Sequence, residues 1–134
     1  MGIRVSGHTR DIEVALWTSP GAFPRAQAAK VLADACKATS VVRVLSKGPA
    51  KARKVTGVEV LSGRGHWRER VGGRAMALSA PSFFQVNTTG AERLVELVLE
   101  DLSPTEADEA MDLYCGAGTF TLPLAEHVGW VSII

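Results

Sequence analysis

Apolar residues in this chain recur at two different periods, and the changes from one to the other mark its elements. Residues 11–18 alternate, with Ile12, Val14 and Leu16 on one side, which predicts a half-buried strand ended by Ser19-Pro20-Gly21. Over 24–38 the residues Ala28, Val31, Leu32 and Ala35 fall at helical spacing, and Pro24 suits a helix's first turn. Val41, Val42, Val44 and Leu45 predict a second strand over 40–46, and residues 55–61 predict a third in which Gly57 offsets Val58 and Val60. Gly63-Arg64-Gly65 turns the chain into a strand over 66–71, and Gly72-Gly73 is a hairpin signal leading to another over 74–79. This part reads as an α+β unit whose sheet is mainly antiparallel.

The pattern then becomes helical again. Thr89-Gly90-Ala91-Glu92 fits a capping box, with Thr89 closing the first N–H groups and Glu92 reaching back. Behind it Ala91, Leu94, Val95, Val98 and Leu102 share one side, while Glu92, Arg93, Glu96 and Glu100 face water. Ser103-Pro104-Thr105 stops this helix, and Glu106, Asp108 and Glu109 form a solvated approach to a short apolar strand through Ala110, Met111 and Leu113. A helix over 120–127 and a strand over 130–134 complete the chain. The expected division is a basic α+β domain over 1–80 and the opening of a second domain over 81–134. Further parallel strands would be needed to complete the second sheet.

The stretch Asp112-Leu113-Tyr114-Cys115-Gly116-Ala117-Gly118-Thr119-Phe120 joins a strand to a helix. Glycines suit such a turn for two reasons: they adopt φ values closed to residues with a Cβ, and they let a ligand approach the backbone. Unpaired N–H groups there favour polar or anionic ligand groups. Tyr114 stands at the carboxyl end of the strand, where ligands of open α/β sheets bind. Upstream, Gln85 in Pro81-Ser82-Phe83-Phe84-Gln85-Val86-Asn87 offers both a donor and an acceptor.

Charge changes the picture by its distribution. The formal net charge is +1, yet residues 43–74 hold nine Lys/Arg against two Asp/Glu, and residues 75–134 hold one against nine. A basic middle suits a phosphate-bearing partner or a solvated sheet face. Trp67, between His66 and Arg68, is either a base-stacking residue or a tryptophan capping a sheet edge. His8 and His66 have no metal-ligand spacing. Cys36 and Cys115 are far apart, and with no leader sequence they fit a reducing cytoplasm rather than a disulfide framework. No apolar run approaches the ~20 residues that cross a bilayer.

The two long stretches around Gln85 and Tyr114, in this order with one helix between, resemble the RNA uracil-5-methyltransferase family, which uses S-adenosylmethionine. The resemblance implies an α+β domain followed by the first strands and helices of a Rossmann-like methyltransferase domain. In the family the glutamine matching Gln85 and the aromatic matching Tyr114 contact S-adenosylmethionine, and the turn from Gly116 to Gly118 admits it. Thr119 stands where asparagine is often found, so its share in that wall is smaller. The implied substrate is a uridine, most of all in 23S ribosomal RNA, with transfer RNA as the other choice. The C5 chemistry needs a cysteine thiolate at C6 and a carboxylate that removes the C5 proton. Both lie far downstream of the glycine motif in the family, so Cys115 is expected to pack the turn and no catalytic or metal-binding residue is assigned here. The acid that holds the ribose, the RNA-binding barrel and the clustered cysteines of some members have no counterpart. The chain thus reads as an internal fragment that does not methylate RNA alone. Two other functions fit parts of the pattern: a non-catalytic RNA-binding module using residues 47–74, and a nucleotide-dependent oxidoreductase, whose third motif glycine is Thr121 here.

Overall fold

A computed structural model describes residues 1–49 and 54–134. Lys51 and Arg53 of the expected basic connection lie outside the described residues. The chain divides into two compact units, Met1–Glu69 with Met76–Pro81, and Arg70–Ala75 with Ser82–Ile134.

The first unit is built on a four-stranded sheet in the order β1-β2-β3-β4, from β1 (Gly2–Val5), β2 (Ile12–Thr18), β3 (Ser40–Lys47) and β4 (Lys54–Gly63). The outer pairs are antiparallel, and β2 and β3 run parallel, with Glu13 opposite Ser40 and Ala15 opposite Val42. That parallel pair needs a crossover, which α1 (Arg25–Cys36) supplies while packing on β2, β3 and β4. β2 was expected to be half-buried; instead Glu13, Val14 and Ala15 are all buried, because both faces are covered. On one face Ala15, Val42 and Val44 form a core with Ala80.

The packed side of α1 is rotated from the expected stripe. Ala28, Ala29, Leu32, Ala33 and Cys36 are half-buried, whereas Val31 and Ala35 point outward. Small residues at 28, 29 and 33 let the helix approach the sheet closely, and this outweighs the larger apolar area of Val31.

β5 (Trp67–Val71) and β6 (Arg74–Leu78) form a two-stranded hairpin across Gly72-Gly73, as the glycine pair predicts. In the second unit, α2 (Thr88–Leu102) leads to β7 (Glu109–Asp112), α3 (Thr121–Leu124) and β8 (Trp130–Ile133). β7 and β8 are parallel, paired from Glu109 with Trp130 to Asp112 with Ile133. The strand therefore starts earlier than its apolar run suggests and takes in Glu109, leaving Leu113 and Tyr114 to the turn. The expected helix over 120–127 is shorter too. After Leu124 the N–H groups of Glu126 and His127 reach carbonyls three residues back, a tightened turn that ends it.

The expected capping box at Thr89 is also corrected. Asn87 caps α2, its side chain accepting from the Gly90 N–H at 3.0 Å. Glu92 instead accepts from the Gly72 N–H at 3.1 Å. Asparagine is as strong a cap as threonine, and the chain enters the helix two residues sooner. Ala91 and Val95 are buried as expected, but Leu94 and Leu102 are exposed.

Candidate functional site

The site lies within the second unit. β7 ends at Asp112, and the N–H of Ile134 donates to its carbonyl at 3.1 Å while the Tyr114 N–H donates to the carbonyl of Ile134 at 2.8 Å. These bonds hold Tyr114 in the left-handed region at φ 64°, a conformation that costs a residue with a Cβ about 1–2 kcal/mol. Its side chain is 93% exposed, so it is no core tyrosine. Gly116 and Gly118 follow at φ 56° and 81°. A Cβ on Gly116 would meet only the Tyr114 carbonyl oxygen at 3.8 Å, and one on Gly118 would touch Leu122 at 3.6 Å. Both glycines are thus required by backbone conformation rather than by crowding within the protein.

The turn closes with Gly118 N–H donating to the Cys115 carbonyl at 2.8 Å, and Leu122 N–H donating to the Gly118 carbonyl at 3.1 Å. The N–H groups of Gly116, Ala117 and Thr119 have no acceptor among the described residues. Thr121 Oγ1 donates to the Asp112 carboxylate, tying the strand end to the start of α3.

A cavity of about 210 Å³ opens here, lined by residues 83–85, 112–117, 119 and 120. Gln85, Tyr114, Gly116 and Thr119 therefore share one concavity. Gly118 is not on its wall and shapes the turn from behind. Cys115 lines the cavity while half-buried, with a free thiol. Asp112 and the buried Phe84 also line it. Asp112 is marked in the sequence only by its place just ahead of the glycine turn.

The expected nucleic-acid face fares differently. Trp67 is 2% exposed and cannot stack on a base, so it belongs to the core. Of the cations from 43 to 74, Arg43, Arg64, Arg68 and Arg74 are tied to acids. Arg43 is buried, donating through Nε to Thr18 Oγ1 at 2.7 Å, through Nη1 to Glu59 at 3.2 Å and through Nη2 to the Ser19 carbonyl at 2.9 Å, with Phe23 under its guanidinium. Arg64 and Arg68 pair with Asp11, and Arg74 with Glu126. Lys47 and Lys54 are exposed. The ring Nδ1 of His8 lies 3.5 Å from Glu69. Among the described residues no group of His, Cys, Asp and Glu could hold a metal ion, and no helix is long and apolar enough to cross a membrane.

A sequence profile of the family described as tRNA (Uracil-5-)-methyltransferase matches residues 27–132, more than three-quarters of the chain. The chain belongs to the tRNA (uracil-5-)-methyltransferase family. Within this methyltransferase family, an RNA methyltransferase of Streptomyces avermitilis is 37% identical over 106 residues, covering 79% of this chain and 23% of that protein. The 23S rRNA (uracil(1939)-C(5))-methyltransferase RlmD of Tolumonas auensis is 50% identical over 50 residues, 37% of this chain and 11% of that one. The crystal structure of Pyrococcus abyssi tRNA (uracil-54, C5)-methyltransferase in complex with S-adenosyl-L-homocysteine matches with a TM-score of 0.67 at 24% identity, covering 92% of this chain and 29% of that one. That likeness establishes a shared fold, mixed α/β with an antiparallel component. The chain spans about a quarter of the length of the Streptomyces relative.

Proposed function

We propose that the protein takes part in S-adenosylmethionine-dependent methylation of C5 of uridine in RNA, with its cofactor pocket at the glycine turn of the second unit. The observation that carries this reading is the meeting of Gln85 with Tyr114, Gly116 and Thr119 on one cavity, from stretches separated by α2. These residues fit the amino-acid end of the cofactor. The Gln85 amide can donate to its carboxylate and accept from its ammonium, and the free N–H groups of Gly116, Ala117 and Thr119 suit the same anionic group. Exposed Tyr114 offers a ring edge and face, and Gly118 sets the bend. When bound, S-adenosylmethionine supplies a methyl group on a sulfonium, which is electrophilic enough to be taken by a nucleophilic carbon.

We assign Cys115 to the pocket wall and not to attack on uracil, and no other residue of this chain to that step. The parallel pair of β7 and β8 supports reading residues 81–134 as the opening of a Rossmann-like methyltransferase sheet and residues 1–80 as a separate α+β domain. Large-subunit ribosomal RNA is the preferred substrate, supported by the Tolumonas relative's name, with the cytoplasm as the place of action. Transfer RNA is the second reading, supported by the family's description.

The test is equilibrium dialysis of labelled S-adenosylmethionine against the purified chain, Gln85→Ala and Cys115→Ala. Gln85→Ala should weaken binding at least about tenfold, the effect of one lost hydrogen bond to a charged group, and Cys115→Ala should leave it within about twofold. Equal affinity of Gln85→Ala and the parent would remove the pocket assignment.

A further inference from the structure

The first unit contains a second arrangement of charge that the cofactor pocket does not use. Asp11, almost fully buried at the start of β2, receives two side-chain bonds from Arg68, Nε at 3.0 Å and Nη2 at 3.1 Å, together with the Arg68 backbone N–H at 2.9 Å and Arg64 Nη2. These bonds hold the carboxyl well below the usual carboxylate range, Arg68 being the main cause, so the anion is fixed in place. The arginine side chains themselves are 42% and 57% exposed. A guanidinium carries five N–H donors. Arg68 uses two on Asp11 and Arg64 uses one, and neither guanidinium has another partner among the described residues.

The cluster also keeps a positive surplus, two guanidinium groups on one carboxylate. The loop beside it is pinned. Glu69 accepts from Ser6 Oγ at 2.9 Å and the Gly7 N–H at 2.7 Å, and Thr9 Oγ1 donates to the Arg68 carbonyl at 2.9 Å. Exposed Arg10 in that loop makes no ion pair among the described residues. Arg43 shows the contrast, since it is buried with its donors distributed over Thr18, Glu59 and two carbonyls.

We propose that Arg64 and Arg68, oriented by Asp11, form a clamp for a backbone phosphodiester of the RNA. The proposal rests on the RNA reading above and adds to it a named contact. A planar guanidinium fork matches two phosphate oxygens, and a partner that already fixes each fork removes much of the ordering cost of binding. Such contacts position the RNA and carry no base preference. Asp11 is a positioning residue here, acting through the two arginines.

The clamp is tested by fluorescence anisotropy of a labelled single-stranded oligouridylate across a series of salt concentrations. The parent chain, Arg64→Gln, Arg68→Gln and Arg64→Lys are compared, with circular dichroism melting and dialysis of labelled S-adenosylmethionine on the same samples. Each glutamine variant should bind several-fold more weakly at low salt, and the slope of log affinity against log salt should fall by about 0.7, the value for one single-strand phosphate contact. Arg64→Lys should keep most of the slope. Arg64→Gln should melt close to the parent, because Arg68 still holds Asp11 by three bonds. Unchanged slopes in both glutamine variants, or no salt-dependent binding by the parent, would overturn the clamp. Absent cofactor binding with reduced slopes in the variants would support the clamp while sinking the pocket assignment.

Discussion

The two units solve the problem of fixing side chains in opposite ways. The first buries charge: Asp11, Glu13, Arg43 and Glu69 are all within its interior, and three of the four are held by several bonds to partners distant in sequence. The second buries no charged side chain among the described residues, leaves Met111, Leu113, Tyr114, Trp130 and Ile133 in the open, and holds its geometry mainly through backbone bonds, a cap and a glycine turn, with Thr121 on Asp112 as a side-chain tie. A buried ion must find its partner or cost several kcal/mol, so the first unit has one satisfactory arrangement. Where backbone bonds set the shape, side chains remain available for a ligand. The unit that is stabilised through side chains should thus respond to changes of charge and pH, and the other to changes of backbone conformation.

Glu13 should show the largest such response. Neither of its carboxylate oxygens has a hydrogen-bond partner among the described residues, and burial pushes its pKa from 4.5 up to about 7. The folded chain thus prefers the protonated acid. Its contribution to stability is fully present below the unfolded value near 4.5, declines as pH rises and is lost once pH passes about 7. The decline amounts to about 3 kcal/mol, because each pH unit between those two values is worth about 1.4 kcal/mol. Asp11, with its lowered pKa, acts in the opposite direction and loses its contribution only in strong acid. Urea unfolding of the parent and Glu13→Gln at several pH values between 4 and 8 isolates the effect. The difference between them should tilt in favour of the variant as pH rises. Parallel curves would mean that Glu13 is solvated and that the first unit does not bury an unpaired acid.

What could be read in advance follows the same division. The glycine turn, the strand before it and the hairpin at Gly72-Gly73 are written in contiguous residues, whose φ requirements and periodicity are local. Gln85 could be placed with Tyr114 because two long stretches carry the family resemblance. The partners of Asp11 lie more than fifty residues away at Arg64 and Arg68, and no local pattern announces them. Nine clustered cations looked like one surface, yet Arg43 faces inward because Glu59, Thr18 and two carbonyls satisfy it. Val31 points outward despite its place on the expected stripe, because close approach of α1 favours small residues over apolar area. Thr89 and Asn87 are both good caps, and only the three-dimensional path decides between them.

That last choice gives a smaller effect, confined to the second unit. Asn87→Ala should lower stability by about 1 kcal/mol, the usual worth of a side-chain cap, and Thr89→Ala should change it by less than about 0.5 kcal/mol. Thermal melting followed by circular dichroism compares the two. An equal loss at both positions would restore the capping box and move the start of α2.

The smallest change in stability is expected at Tyr114, and it bears most directly on the division between the units. Its φ of 64° is one that glycine adopts freely, and its exposed side chain makes little contact to lose. Tyr114→Gly therefore relieves backbone strain in the folded state, while the added freedom of the unfolded chain takes part of that gain back. The net result should be between zero and about +1 kcal/mol. A residue kept in an unfavourable conformation with its ring in solvent is accounted for by what the ring does there, and under the proposed function it forms part of the cofactor pocket. The variant should accordingly melt at or slightly above the parent temperature while its affinity for labelled S-adenosylmethionine falls. Destabilisation by more than about 1 kcal/mol would show that the tyrosine side chain supports the turn. Unaltered affinity in a well-folded variant would show that the strain at this position serves something other than the pocket.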